Sequence, residues 1–63
     1  MVIKMKAARV NANLSQQEAA EALGISRSTL QNYEKGKTIP RLSIAEKIAN
    51  VYGVSVDDID WHS

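Results

Sequence analysis

The sequence predicts an all-α fold, a compact bundle of five short helices forming one domain over residues 1–63. Three observations predict it. Apolar residues recur at helical spacing, serines stand where helices need an amino-terminal cap, and glycines stand where the helical patterns break off. No strand-like alternation of useful length competes with them. A chain of 63 residues has room for a single domain and buries only about 60% of its unfolded surface, so the core is small.

The first helix is read from Met5, Ala8, Arg9 and Ala12, which fall at i, i+3, i+4 and i+7 and span about three turns. Asn13, a residue that tolerates the left-handed conformation, stops it. Ser15 with Glu18 three residues on is a capping box opening a second helix. That helix presents Ala19, Ala20 and Leu23 on one face and ends at Gly24. Ser26 caps a third helix over about Arg27 to Lys35, with Leu30 and Glu34 on one side and Arg27, Ser28, Asn32 and Lys35 elsewhere, closed by Gly36. After Pro40 the residues Leu42, Ala45, Ile48, Ala49 and Tyr52 form the widest apolar stripe of the chain, a fourth helix ended by Gly53. Ser55 with Asp58 repeats the capping pattern and predicts a short fifth helix.

Composition narrows the chemistry. There is no cysteine and a single histidine, His62, so neither a disulfide framework nor a thiolate or polyhistidine metal site is expected, and no cofactor. Asp57, Asp58 and Asp60 lack the glycine-bearing loop of a calcium site and are read as helix-dipole and solubility residues. No nucleophile has a plausible acid–base partner, so an enzyme is not expected. The apolar run Val2–Ile3 before Lys4 is too short for a signal peptide or membrane span, which makes a cytoplasmic location the expectation. The net charge is only +1, but it is polarised. Residues 1–41 carry seven basic against three acidic side chains, and residues 42–63 carry one against four. Such a chain presents one end to a polyanion and holds the other away.

The segment from about Ser15 to Lys35, SQQEAAEALGISRSTLQNYEK, fills a helix-turn-helix layout. Ala20 is small where the two helices meet, Gly24 supplies the turn, and Ile25 and Leu30 plug the angle between them. With its flanks, LSQQEAAEALGISRSTLQNYEKGK resembles the Cro/CI-type helix-turn-helix family of phage and bacterial repressors, whose fold is of the lambda-repressor-like DNA-binding kind. Arg9, Pro40, Leu42, Lys47-Ile48-Ala49 and Gly53-Val54-Ser55 extend the likeness over nearly the whole chain. The chain departs from the family at Ala8 and Ala19, where a larger aliphatic residue is usual and a thinner core is implied, and at Asn13, which replaces a frequent glycine.

What the resemblance implies is a sequence-specific regulator of transcription, a repressor that sets its third helix in the major groove of a near-palindromic operator. It implies base contacts from Gln16, Arg27, Ser28 and Asn32, of which Arg27 suits guanine O6/N7 and Asn32 suits adenine N6/N7. It implies phosphate contacts from Arg9, Gln17, Thr29, Lys35, Lys37 and Arg41. It also implies an Arg9–Glu34 ion pair joining the first helix to the third, worth ~0–1 kcal/mol as a surface pair. Tyr33, Tyr52 and Trp61 are too few and too scattered for the stacking platform of a single-strand binder. Val56, Ile59 and Trp61 admit two readings, closure of the core or the contact of a weak homodimer formed mainly on DNA. The competing function class is a protein-interaction or antitoxin-like module whose partner covers that same carboxyl-terminal surface.

Overall fold

The computed structural model describes residues 2–62. A short extended segment, β1 (Ile3–Lys4), leads into α1 (Met5–Asn11), α2 (Gln16–Leu23), α3 (Arg27–Glu34) and α4 (Leu42–Tyr52). A single 3-10 turn (Val56–Asp58) and a second short strand, β2 (Ile59–Asp60), complete the chain.

The helix ends form as local chemistry requires. Asn13 takes φ 62° after α1, the left-handed conformation open to asparagine. At the start of α2 the Glu18 N–H donates to Ser15 Oγ at 3.0 Å while the Ser15 N–H donates to Glu18 Oε1 at 2.9 Å, so two otherwise orphaned donors are satisfied reciprocally. Hydrogen bonding to the carboxylate, first from the Ser15 backbone N–H and then from the Ser15 hydroxyl, holds the Glu18 carboxyl below its ordinary pKa. Gly24 takes φ 71°, and the Ile25 N–H reaches back to the Ala20 carbonyl at 3.0 Å. The Lys47 ammonium lies 3.8 Å from where a Cβ at Gly24 would stand, so this turn is covered from α4. Ser26 Oγ accepts from the Thr29 N–H at 3.1 Å and opens α3.

The fifth helix of the sequence reading is not formed. Ser55 Oγ accepts only from the Asp57 N–H, at 3.3 Å, and one 3-10 turn follows. Beyond it Ile59–Asp60 extends to pair with Ile3–Lys4 in parallel, Ile3 opposite Ile59 and Lys4 opposite Asp60. The β-branched isoleucines suit this pairing, and Ile59 thereby enters the core.

The core gathers Met5 and Ala8 of α1, Ala19, Ala20 and Leu23 of α2, Leu30 of α3, Ile48, Ala49 and Tyr52 of α4, and Ile59. Ala8 and Ala19, the small residues noted above, are both fully interior. Four of the five stripe residues of α4 face inward as expected, but Leu42 is 67% exposed. It is the first residue of the helix, and Arg41 and Ser43 on either side of it are exposed as well. The α2 helix packs on both α3 and α4, which fixes the angle at which α3 is presented.

Candidate nucleic-acid interface

Leu30 and Glu34 lie one turn apart on the inner side of α3; the neighbouring row of Arg27, Gln31 and Lys35, with Ser28 and Asn32 beyond it, forms the outer stripe. Arg27, Ser28 and Lys35 are exposed, and Gln31 and Asn32 are half-buried. Thr29 sits at the edge of this stripe, its Oγ1 2.8 Å from Ser26 Oγ. Lys37 and Arg41, both exposed, follow α3 on the segment that leads to α4. Four cationic side chains are thus displayed on α3 and the loop after it. Gln17 is exposed at the start of α2, its amide donating to Glu21 Oε2 at 3.1 Å.

Behind the stripe lies a polar knot. Arg9 Nε donates to Glu34 Oε2 at 2.7 Å, Nη2 donates to Glu34 Oε1 at 3.5 Å, and Nη1 donates to the Leu14 carbonyl at 2.8 Å. The pair expected at the surface is interior, with side-chain exposures of 8% and 5%. Its burial changes the energetics, since removing one partner of a buried pair strands a desolvated charge at a cost of about 3–5 kcal/mol. All three guanidinium nitrogens are engaged inside the protein, so Arg9 ties α1 to α3 and to the turn before α2.

Gln16 is half-buried against this knot. Its Nε2 donates to Glu34 Oε1 at 3.0 Å, and its Oε1 accepts from Gln31 Nε2 at 3.2 Å. Gln31 was not among the residues picked from the sequence, although a signal was present: it stands four residues after Arg27, in the middle of the outer stripe.

The carboxyl-terminal patch divides. Ile59 is 4% exposed and belongs to the core, so it is not free to meet a partner; Val56 and Trp61 are half-buried. The indole Nε1 of Trp61 donates to the Val56 carbonyl at 3.1 Å, which clips the two together. The Tyr52 hydroxyl is buried with no hydrogen-bond partner among the described residues. Burial first, and the Glu34 carboxylate second, push its pKa up to about 12 against an opposing pull from Arg9. Among the described residues no three histidine, aspartate or glutamate side chains assemble as a metal site, and no helix is long and apolar enough to cross a membrane.

The sequence pattern of a family described as Helix-turn-helix matches residues 5–59. An uncharacterized HTH-type transcriptional regulator of Methanocaldococcus jannaschii is 46% identical over 56 residues, covering 89% of this chain and 85% of that protein. A second uncharacterized HTH-type transcriptional regulator, from Archaeoglobus fulgidus, is 39% identical over 59 residues, covering 94% of this chain and 83% of that one. The cryptic phage CTXphi transcriptional repressor RstR of Vibrio cholerae is 38% identical over 56 residues, 89% of this chain but only 50% of the repressor. No solved structure matches the chain significantly. The matched span runs from the first residue of α1 into β2 and includes the capped helices, the glycine turn and the polar knot; the chain belongs to the Cro/CI-type helix-turn-helix family.

Proposed function

We infer that the chain is a cytoplasmic DNA-binding regulator of transcription, a repressor that seats α3 in the major groove of an operator and blocks the promoter by occupying it. The observation that supports this most directly is the division of α3. Leu30 and Glu34 take the inner side, while Ser28 and Asn32 lie on the far side beside Lys35 and Arg27 is exposed at the first residue of the helix, with Lys37 and Arg41 following. Arg27, Ser28, Asn32 and Gln16 read base edges in this scheme. Lys35, Lys37 and Arg41, with Gln17 and Thr29, hold the phosphates and set the salt dependence. A weak two-fold contact through Val56 and Trp61 spaces two copies of α3 by ~34 Å and makes the operator near-palindromic.

Selection from a pool of randomised duplexes, followed by titration of the enriched duplex over a salt series, tests this reading. Enrichment of a near-palindromic sequence is expected, with log affinity falling linearly in log salt. Arg27→Ala and Asn32→Ala should each relax preference at one base position by about 1–3 kcal/mol, whereas Lys37→Ala should weaken every duplex alike. Weak binding equal for all sequences would overturn the assignment and favour an interaction module whose partner covers Val56 and Trp61.

A further inference from the structure

Glu34, Gln16 and Gln31 form a relay whose direction is dictated by charge. A carboxylate only accepts, so the Gln16 atom that faces Glu34 Oε1 at 3.0 Å must be the amide nitrogen. The carbonyl oxygen of Gln16 is then turned toward Gln31, and at 3.2 Å Gln31 must offer its own nitrogen. Arg9 anchors the far end, orienting the Glu34 carboxylate through the 2.7 Å bond. Neither amide is left to choose its own flip. Of the four hydrogen-bonding positions of the Gln16 amide, two are taken inside the protein, and one N–H and one carbonyl lone pair remain, a donor beside an acceptor.

We propose that Gln31 is a positioning residue for DNA binding, fixing the rotamer and polarity of the Gln16 amide so that its remaining donor and acceptor meet the duplex ready-made. The inference rests on the DNA-binding reading above and extends it to a residue outside the contacts expected there. Without the Gln31 donor, Gln16 keeps its tether to Glu34 but is free to swing about it, and ordering that side chain becomes part of the cost of binding. Gln31 acts through Gln16, and the two helices of the motif are thereby coupled by an amide pair as well as by packing.

The test uses the whole chain and the duplex that the wild-type protein enriches from a randomised pool. Gln31→Met keeps the length of the side chain and removes the donor. We expect it to weaken binding about three- to tenfold and to leave the thermal midpoint unchanged. Placed on Gln16→Ala, the same substitution should have no further effect. In the free protein, the nitrogen and proton signals of the Gln16 side-chain amide should move toward those of an unrestrained glutamine in Gln31→Met. An equal penalty in both backgrounds would overturn the inference, because Gln31 would then act by touching DNA itself or by supporting the fold; so would wild-type affinity in Gln31→Met. If the wild-type chain enriches no duplex, the DNA-binding reading falls and takes this inference with it.

Discussion

Along α4, Ala45, Ile48, Ala49 and Tyr52 all turn inward, whereas α3 buries one apolar side chain fully, Leu30, with Tyr33 packed half-buried against the core. The remaining anchor of α3 is ionic, the Glu34 carboxylate held by Arg9 and Gln16. The contrast follows from what each helix must leave uncovered. A helix that buries a broad stripe has little surface for anything else, while one that presents a broad outer stripe must be held at few points, each strong and directional. The apolar contact resists separation from any direction. The carboxylate fork also fixes rotation about the helix axis, on which the aim of the outer stripe depends.

The largest effect is expected where the ionic anchor is removed. Glu34→Ala strands the Arg9 guanidinium in the interior and should cost about 3–5 kcal/mol in urea unfolding. Replacing both partners, as Arg9→Met with Glu34→Leu, should recover most of that stability and leave DNA affinity impaired, since Gln16 would still lack its acceptor. A cost below about 1 kcal/mol for Glu34→Ala would mean that the pair behaves as an exposed one and would break the contrast. Next comes Leu30→Ala, expected to cost about 2–5 kcal/mol and to match Ile48→Ala although it is the one fully buried side chain of its helix.

A smaller effect belongs to Tyr52, where α4 meets the charged knot. Its hydroxyl is buried without a partner among the described residues, so Tyr52→Phe should stabilise the fold by about 1 kcal/mol. In the folded chain the phenol keeps its proton up to about pH 12, whereas the unfolded chain releases it near 10.0. Wild-type stability is therefore complete below pH 10 in this respect and falls as pH rises from there toward 12, by a total on the order of 2 kcal/mol that the phenylalanine variant should not lose. Smallest is Ser26→Ala at the start of α3, expected to cost about 1 kcal/mol in thermal unfolding through the lost Thr29 N–H bond.

Legibility in the sequence tracks the range of the interaction. The boundaries set by Ser15 with Glu18, Ser26, Asn13 and Gly24 are bonds and torsions within a few residues, so the local sequence contains their whole cause. The β1–β2 pair was not legible, because two-residue strands have no periodicity and their partner lies at the other end of the chain. Leu42 had the right phase for the stripe of α4, but phase does not say where along a helix the core begins. The family resemblance implied the pairing of Arg9 with Glu34; its depth is a property of the surrounding packing. Gln31 was missed for a related reason. A glutamine on an outer stripe looks like solvated surface until a second helix brings another amide to it.

The pairing of Ile3–Lys4 with Ile59–Asp60 has a mechanical consequence. The two strands run parallel and hold residues from opposite ends of the chain. The polypeptide therefore enters this clasp at one end and leaves it at the other. Tension drawn across residues 2 and 62 slides one strand along the other, so the bonds between them share the force instead of opening in turn. A pull on the two ends meets this small shear joint before it reaches the helices that hold the polar knot.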